Sequence, residues 1–323
     1  MYAVLALAAL VLEAAFGYPD ALYRRIGHPV TWLGALIAWC ERRWNAQAAS
    51  VTAQRLGGVA ALAVLLIVAL VGGWGLARVL ALIAPTWAGL LLTAALASSL
   101  IAQRSLDDHV RAVAEAIEAE GLEAGRRTVA KIVGRDTATL DAAAVSRAAI
   151  ESLAENFSDA VVAPVLWLAL AGLPGCLAYK AVNTADSMIG HTGRRYRAFG
   201  WAAARSDDLL NLPASRLAAV WLALAAAFAS RERLVAAAKA AVRDAKHHSS
   251  PNAGWPEAAM AGALGLQLAG PRAYGGELVA DAFMGEGRAA AGPSDIRAAL
   301  ELYRRACALQ AAAVAVLALS VSW

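Results

Sequence analysis

The chain has few cysteines and few charged residues for its length. Its three cysteines, Cys40, Cys176 and Cys307, lie far apart among 323 residues and form no Cys-x-x-Cys pair. This spacing excludes a disulfide framework and a cysteine-based zinc site. Only 17% of the residues are charged, and the formal net charge of +4 is not gathered into a dense basic stripe. Nucleic-acid binding is therefore not predicted, whereas contact with anionic lipid headgroups or anionic substrates is.

Several other signals are missing. No Gly-x-x-x-x-Gly-Lys-Ser/Thr sequence occurs, so any nucleotide site is not a P-loop. Alternating strand patterns and hairpin signals are absent, as is a convincing internal repeat. The first apolar run, Met1–Phe16, lacks the basic start of a signal peptide, so we expect a retained membrane helix rather than a cleaved leader.

Long apolar runs dominate what is present, and 60% of the residues are hydrophobic. This composition favours an integral membrane protein. The candidate spans are Met1–Phe16, Val59–Ala77, Thr86–Ala102, Ala160–Ala178, Leu217–Ala229 extended by Leu212–Ser215, and Ala306–Trp323. Pro256–Ala269 is too short to cross a membrane, so a re-entrant or packed segment is expected there. The predicted fold is all-α and polytopic: a single membrane-embedded domain over residues 1–323, with five to six membrane helices plus amphipathic and re-entrant segments.

Three polar regions, residues 103–159, 179–216 and 230–305, are the predicted active-site regions. Lys and Arg concentrate in Gly17–Arg55, Gln103–Asp159 and Ser230–Arg305, which predicts a cytoplasmic position for these loops. Strict alternation would put the basic loop Tyr179–Arg216 on the other side. We therefore expect Ala160–Ala178 and Leu212–Ala229 to be tilted or half-buried helices that leave this loop facing the cytoplasm.

Two polar segments carry a helical period. One apolar series is Leu106, Val110, Val113, Ile117 and Leu122. The other is Leu234, Val235, Ala238 and Val242, with a basic face of Arg231, Arg233, Lys239, Arg243 and Lys246. The second pattern suits a helix on a headgroup surface.

An acidic series begins at Arg147 and continues with Glu151, Glu155 and Asp159 at intervals of four residues, with Asn156 beside it. On a helix these side chains drift slowly along one face. A salt-bridged exposed helix explains the series. That exposed helix is the commoner explanation of such a series alone. A carboxylate cluster for Mg²⁺, which prefers oxygen ligands, also explains it, and the position at the mouth of an apolar segment favours the cluster.

A second polar series follows that apolar segment directly. Lys180, Asn183, Thr184 and Ser187 share a helical face, with Asp186 adjacent. Lys180 is one of four lysines in the chain, and a lysine serves either as a point charge on phosphate or as a snorkelling residue at a helix end. Charged groups against a membrane segment are costly unless they pair or bind a ligand.

The remaining candidates each have a structural alternative. Gly190–Arg195 is either a basic phosphate loop or a plain turn. Asp207, Asp208 and Asn211 share a face, and Arg205 is placed to pair with Asp208. His28 is an acid–base candidate, although a histidine beside a proline is more often structural. Ser249–Pro256 either clamps a ligand or starts a helix at Pro256.

In their order along the chain these motifs resemble one family. They are Gly17–Asp20 with His28–Val30, Gly134–Thr137, Glu151–Asn156 with Asp159 and Pro164, Ala178–Gly190, Arg205–Asn211, and Ser250–Pro256. Together they resemble the CobD/CbiB family, the membrane-bound adenosylcobinamide-phosphate synthase of cobalamin biosynthesis. The sequence departs from the expected pattern at Ala185, His191 and Ser215, positions that we interpret as packing positions.

The resemblance implies an ATP-dependent amide-forming ligase of the cytoplasmic membrane. It would join (R)-1-amino-2-propanol phosphate, or a related amino alcohol, to a propionate of adenosylcobyric acid. A carboxylate is a poor acyl donor, so activation to an acyl phosphate with ATP and Mg²⁺ is expected. Other membrane-bound enzymes of the pathway are possible partners.

Side-chain chemistry then suggests roles within those motifs. The predicted catalytic residues are Glu151, Glu155, Asp186 and Lys180. The predicted Mg²⁺ ligands are Glu155, Asp159, Asp186, Asp207 and Asp208. The predicted substrate and phosphate ligands are His28, Arg135, Asn156, Asn183, Ser187, Arg194, Arg205, Asn211 and Asn252.

Two other functions fit part of the pattern. Asn183, Asp186 and Asp207-Asp208 partly match the aspartate-rich sites of intramembrane prenyltransferases. A transporter or non-catalytic membrane factor, with the charges lining a path, is the alternative outside enzymes.

Overall fold

The computed structural model describes residues 2–134, 136–191, 193–270, 272–274, 277–279 and 282–320. The α-helices are α1 Tyr2–Phe16, α2 Asp20–Ile26, α3 Pro29–Trp44, α4 Val51–Ile83, α5 Thr86–Ser98, α6 Gln103–Glu120, α7 Leu122–Val129, α8 Ala142–Asn156, α9 Ala163–Ile189, α10 Trp201–Ala226, α11 Arg231–Asp244, α12 Gly254–Leu264 and α13 Pro293–Ser320. A π-helical segment, Phe157–Val162, joins α8 to α9, and a 3₁₀ turn, Ala245–His247, follows α11.

Five helical segments of the described chain are long and apolar enough to cross a membrane: Val51–Ile83, Thr86–Glu120, Ala142–Ile189, Trp201–Ala226 and Pro293–Ser320. A sixth span results if the bent pair Tyr2–Phe16 and Ala21–Trp44 counts as one. The prediction of an all-α polytopic membrane protein with five to six spans is confirmed. The helices extend well beyond the apolar runs, because hydropathy marks the part that needs lipid rather than the ends of the hydrogen-bonded helix.

The chain packs as two compact units. The first contains residues 1–102, 163–211 and 313–323, and the second contains residues 103–162 and 212–312. Both α10 and α13 contribute to each unit. The single-domain boundary of residues 1–323 stays a prediction.

In the first unit, α3, α4, α9 and the start of α10 share one core. Its buried members are Leu33, Ile37, Cys40, Ala61, Leu65, Ala69, Ala181, Ala185, Ile189, Phe199 and Ala203. Close backbone approach makes this core tight: a Cβ added to Gly58 of α4 would lie 1.8 Å from the carbonyl oxygen of Phe199. Only glycine fits there, as is common where membrane helices pack closely.

The predicted span Ala160–Ala178 is not one regular helix. It begins in the π-helical segment, and Gly172 interrupts α9 with φ 65° and ψ −160°. Such a positive φ is accessible to glycine at little cost, and Pro174, which lacks a backbone N–H, follows two residues later. This break lies inside the most apolar part of α9.

The prediction of a polar loop over Tyr179–Arg216 is wrong. Helix α9 continues to Ile189 and α10 begins at Trp201, so only residues 190–200 connect them. The polar residues of Lys180–Ser187 and Arg205–Arg216 therefore lie on two helices, in line with the helical faces predicted for them, whereas Arg194 and Arg195 lie in the connecting segment. The cytoplasmic placement of the region stays a prediction.

In the second unit, α6 follows its predicted pattern. Leu106, Val110 and Val113 are buried along one face of the helix. The helix ends at Glu120, and Gly121, with φ 85°, separates it from Leu122, which belongs to α7. The amphipathic helix is confirmed and the placement of Leu122 on it is wrong.

Helix α11 forms as predicted but buries a different face. Ala237, Ala240, Ala241 and Asp244 are buried, whereas Val242 of the predicted apolar face is 72% exposed. The reason is close packing against α12, where a Cβ on Gly262 would lie 2.5 Å from the carbonyl oxygen of Ala236. Small residues permit this approach, so residue size decided the buried face rather than hydrophobicity.

Helix α12 is a buried packed segment, one of the two predicted outcomes for Pro256–Ala269. Beyond it lie the short strands β1 Leu268–Ala269, β2 Arg272–Tyr274, β3 Glu277–Val279 and β4 Phe283–Met284. β1 pairs antiparallel with β4, and β2 with β3. The sequence predicted no strands, because segments of two or three residues are too short for an alternating pattern. All three cysteines are buried, and none of them forms a disulfide.

A buried carboxylate holds α11 to the segment after β4. Asp244, 4% exposed, accepts hydrogen bonds from Nε and Nη2 of Arg243, each at 2.6 Å, and from the backbone N–H of Gly285 at 2.8 Å. The hydrogen bonds from Arg243, supported by the Gly285 N–H, lower the pKa of Asp244 despite its burial.

This lowered pKa predicts acid sensitivity. Asp244 stabilises the folded state above the ordinary aspartate pKa of about 4 and loses that contribution as the pH falls through its lower folded pKa. We expect Asp244→Asn to destabilise the protein by about 1–2 kcal/mol at pH 7 and by less near pH 3. Thermal unfolding of both proteins between pH 7 and pH 3 measures the difference, and an Asp108→Asn control at an exposed ion pair should show little change. A constant difference across this range would contradict the prediction.

Candidate functional site

A buried hydrogen-bonded cluster lies between α9 and the start of α10 in the first unit. The Tyr179 hydroxyl donates to Oδ1 of Asn211 at 2.8 Å, and Nδ2 of Asn211 donates to Oδ2 of Asp207 at 3.0 Å. Nδ2 of Asn183 donates to the other carboxylate oxygen of Asp207 at 3.3 Å. The structure thus brings together three predicted site residues, Asn183, Asp207 and Asn211, and adds Tyr179. Helix α9, the connecting residues 190–200 and the start of α10 form a helical hairpin, so we call these four residues the hairpin cluster.

Burial makes the hairpin cluster expensive unless every polar group is matched. Asp207 is 8% exposed and Asn211 is fully buried. A buried carboxylate is tolerated when donors and a cation compensate for lost water. Besides the two amides, the half-buried Lys180 interacts electrostatically with Asp207 and with His28. These interactions favour a role for Lys180 at the cluster over plain snorkelling.

His28 also has a structural role. It is the N-cap of α3, where its Nδ1 accepts a hydrogen bond from the backbone N–H of Val30 at 3.2 Å. Its ring packs edge-on against Tyr18 at a centroid distance of 4.5 Å. The structure therefore supports both the structural interpretation of His28 and its position near Lys180.

The hydroxyl groups of α9 bond to their own helix. Thr184 donates to the carbonyl of Lys180 at 2.7 Å, and Ser187 donates to the carbonyl of Asn183 at 2.9 Å. A phosphate needs donors, so Ser187 would have to rotate away from this bond to hold one. Ser187 is exposed at the end of the series and has room for that rotation.

Asp186 lies over the end of α9. The backbone N–H of Gly190 donates to the Asp186 carbonyl at 2.7 Å, and a Cβ on Gly190 would lie 1.9 Å from Oδ1 of Asp186. A carboxylate in the last turn of a helix opposes the helix dipole. Helix stability alone therefore does not explain this aspartate, which favours a functional role.

The rim of the hairpin is more exposed. Arg205 pairs with Asp208 at 3.2 Å, as predicted. Such an exposed pair contributes at most about 1 kcal/mol, so both groups can change partners at low cost. Arg194 is exposed in the connecting segment, whereas its neighbour Arg195 is bound to Glu41 of α3 at 2.8 Å.

The acidic series of α8 belongs to the second unit and does not share one face. Glu151 is 5% exposed and accepts a hydrogen bond from the backbone N–H of Ala269 at 2.8 Å, whereas Glu155 is exposed. Nδ2 of Asn156 donates to the carbonyl of Ser152 at 2.9 Å. Glu151 and Glu155 keep the predicted slow drift, since a step of four residues turns by about 40°, but they differ in burial. Asp159 leaves this face because it lies in the wider π-helical segment.

A second polar cluster surrounds the motif Ser250–Pro256 in the second unit. Oδ1 of Asn252 accepts hydrogen bonds from Ser215 Oγ at 3.2 Å and from Arg216 Nη1 at 2.9 Å. The Arg216 guanidinium also lies over the Trp255 ring at 4.8 Å from its centroid. The motif therefore starts α12, at Gly254, and also binds α10.

Sequence analysis missed several members of these clusters. Ser215 was interpreted as a packing position, yet its hydroxyl bonds Asn252 and accepts from Arg216 at 2.9 Å. Arg216 follows the quoted motif Arg205–Asn211, and both Tyr179 and Trp255 lie inside quoted motifs, so motif position was the available signal. The predicted phosphate ligand Arg135 lies outside the described residues.

Comparison with known proteins settles the family. A family model described as CobD/Cbib protein matches residues 6–303. The chain belongs to the CobD/CbiB family. Relatives named "Cobalamin biosynthesis protein CobD" include one from Sinorhizobium fredii, 51% identical over 96% of this chain and 95% of the relative, and one from Rhodobacter capsulatus, 47% identical over 95% and 94%. No solved structure matches the chain.

The CobD/CbiB motifs divide between the two clusters. Ala178–Gly190 and Arg205–Asn211 supply the hairpin cluster, and Ser250–Pro256 supplies the cluster around Asn252. The predicted resemblance is confirmed, and most of its polar motif residues have specific hydrogen-bond partners in the structure.

The predicted Mg²⁺ would need oxygen ligands, such as carboxylates, from this CobD/CbiB chain. Among the described residues, no three His, Cys, Asp or Glu side chains gather into a group able to hold a metal ion. Mg²⁺ carried on a nucleotide needs only one or two carboxylates in addition to phosphate and water, so the donor types present fit that mode. Asp207 already accepts amide hydrogen bonds on both oxygens and suits orientation better than ligation. The metal roles of Asp186, Asp208, Glu155 and Asp159 stay predictions.

Proposed function

We propose that the protein is an ATP-dependent amide-forming ligase of cobalamin biosynthesis. It would join the amine of (R)-1-amino-2-propanol phosphate, or a related amino alcohol, to a propionate of adenosylcobyric acid. Family membership and the printed names of its relatives support the pathway. The observation that carries the proposal is the hairpin cluster, in which two family motifs meet around a buried carboxylate.

The reaction proposed has two steps. The propionate oxygen attacks the γ-phosphorus of ATP, which forms an acyl phosphate and releases ADP. The amine nitrogen then attacks the acyl carbon, the C–O bond to phosphate breaks, and one amine proton leaves as the amide forms with inorganic phosphate. The proposed rate enhancement comes from activating a poor acyl donor and from holding the amine beside it.

The residues of the first unit suit these needs. Lys180 and Arg205 supply positive charge for phosphate oxygens, with Arg194 in the connecting segment. Asp207, held by Asn183 and Asn211, has a fixed orientation and suits a proton acceptor for the amine. Bound Mg²⁺ would neutralise phosphate charge, with Asp186 and Asp208 as its proposed protein ligands here.

We place the enzyme in the cytoplasmic membrane with this site facing the cytoplasm, where ATP is available. The apolar helices support the membrane location. Corrinoid substrates and neighbouring membrane-bound enzymes of the pathway are the proposed partners. The roles of Glu151, Glu155, Asn156 and Asn252 stay predictions.

The test is reconstitution. The full chain in nanodiscs is incubated with adenosylcobyric acid, aminopropanol phosphate, ATP and Mg²⁺, and the corrinoid is followed by mass spectrometry. We expect the amide product only when all components are present. Folded protein that forms no product with either the phosphorylated or the free amino alcohol would overturn the proposal.

A transporter remains the second candidate because of one observation. The break at Gly172 interrupts α9 within its apolar part, and discontinuous helices form the substrate sites of many transporters. ATP consumption that requires both co-substrates would exclude transport as the primary activity. A prenyltransferase-like enzyme is less supported, because no described group of acidic residues forms its clustered metal site.

Gly190→Ala provides a sharp test of Asp186. The new Cβ would clash with Oδ1 of Asp186 and lie 2.6 Å from its carbonyl oxygen, so the carboxylate must move. We expect turnover to fall by about tenfold to a hundredfold, since small displacements of reacting groups are costly. Gly193→Ala is the matched control, because its Cβ meets no atom within 4 Å. Equal activity of the two variants in the ligase assay would remove Asp186 from the site.

A further inference from the structure

A cavity of about 660 Å³ lies in the second unit between α11 and α12. Its walls are formed by two neighbouring rows of side chains on α11, by the end of α12 and by the turn after β4. The lining residues are Arg231, Glu232, Val235, Ala236, Lys239, Ala240, Arg243, Ala261, Gly262, Gly265, Glu286 and Gly287. None of them is a residue that we propose for the ligase reaction, and the volume is that of a typical small-molecule site.

The acidic residues of this cavity are already engaged. Glu286 forms an ion pair with Arg243, which also holds Asp244 through two hydrogen bonds. The Ser230 hydroxyl, at the start of α11, lowers the pKa of the Glu232 carboxyl. Arg243 and both lining carboxylates thus serve the structure itself.

Two basic residues of the cavity lining, Arg231 and Lys239, take no part in these interactions. In the part of the chain that the structure describes, neither Arg231 nor Lys239 makes an ion pair or a side-chain hydrogen bond. They lie on one row of α11, with Val235 midway between them, and their positions are separated by about 12 Å along the helix axis. Both side chains are long enough to converge on one anion, so the cavity offers two cations that their own fold leaves uncompensated.

The helix dipoles contribute little to the preference of this cavity for an anionic ligand. The start of α11 favours an anion, but α12 ends beside it at Gly265, and the dipoles of two such helix ends oppose one another. The side-chain charges therefore decide the sign of the ligand. The exposed Val235 and Ala236 add an apolar surface suited to a carbon skeleton.

We propose that this cavity binds an organic phosphate, with the phosphate held between Arg231 and Lys239 and its carbon part against Val235 and Ala236. Phosphate fits because its several oxygens can accept from two cations at once. Two sources offer this chemistry: a soluble phosphate compound, such as a nucleotide, and the headgroup of an anionic phospholipid.

The experiment removes each charge singly in the full chain. Arg231→Gln and Lys239→Gln are compared with Lys246→Gln, a matched loss of an exposed cation that does not line the cavity. Val235→Glu is a further variant, which places a carboxylate between the two cations at an exposed position. Binding of a non-hydrolysable ATP analogue is measured in phosphatidylcholine nanodiscs, and binding of phosphatidylglycerol is measured in detergent.

We expect each cavity variant to weaken binding of one of the two probes by about tenfold, and Lys246→Gln to change it by less than about twofold. A loss confined to the ATP analogue identifies a soluble phosphate, and a loss confined to phosphatidylglycerol identifies a headgroup. Wild-type binding of both probes by all three cavity variants, or no binding of either probe by the parent protein, would overturn the proposal.

The ligase assay keeps this result separate from the proposed function. If product forms while the cavity variants bind both probes normally, the ligase proposal stands and the cavity proposal fails. If the cavity variants lose phosphatidylglycerol binding while no product forms with any protein, the cavity proposal stands and the ligase proposal fails.

Discussion

Asp207→Asn is expected to lower ligase turnover by about a hundredfold while the protein still folds. Asp207 receives an amide N–H on each of its oxygens, and Lys180 interacts with its charge. An asparagine has one oxygen and one NH₂ group, so its NH₂ would face the donor of either Asn183 or Asn211. The variant thus loses both the charge and one hydrogen bond, and the mispairing should cost about 1–3 kcal/mol of stability.

The measurement is turnover of the corrinoid substrate by purified protein in nanodiscs, with unfolding temperature recorded alongside. Asp108→Asn, at an exposed ion pair of α6, is the matched charge control and should keep parental turnover. Asp207→Asn with parental turnover would show that the hairpin cluster is structural only.

Gly58→Ala should have the largest effect on stability. The added Cβ would lie 1.8 Å from the carbonyl oxygen of Phe199 and 2.8 Å from its carbonyl carbon. Both are backbone atoms, so α4 must move away from the segment that leads into α10. We expect a loss of about 3 kcal/mol or more, seen as a low yield of folded protein and a lower unfolding temperature.

Gly72→Ala is its control on the same helix, since a Cβ there meets no atom within 4 Å. Alanine is the better helix former, so this change should be neutral or stabilise by up to about 1 kcal/mol. Similar unfolding temperatures for the two variants would contradict the close approach of α4 and Phe199.

Sequence analysis predicted those parts of the fold that depend on local patterns. The period of Leu106, Val110 and Val113 identified the buried face of α6, and the apolar runs located every span. At α11 it did not identify the alanine face that packs against α12, because that contact depends on residue size rather than on hydrophobicity. It also failed at Gly172, because a glycine within an apolar run carries no local sign of a positive φ.

The residues of the candidate site could be predicted from the sequence, but their contacts could not. Asn183, Asp207 and Asn211 were predicted from residue type and motif, and the structure joins them. Their pairing could not be predicted, because the helical face of each motif does not show that the end of α9 packs against the start of α10. Glu151 was grouped with exposed acids, although it accepts a hydrogen bond from the backbone N–H of Ala269. The two residues are 118 positions apart along the chain, so no local pattern could show this contact.

The burial of Cys40, Cys176 and Cys307 makes the chain suited to thiol chemistry at chosen positions. A maleimide reagent needs an accessible thiolate, and none of the three native side chains presents one to solvent. A single cysteine introduced at the exposed Gly193 should therefore be the main labelled position without removal of the native ones. With a membrane-impermeant reagent applied to intact cells and to inverted vesicles, that one label would report which side of the membrane carries the connection between α9 and α10.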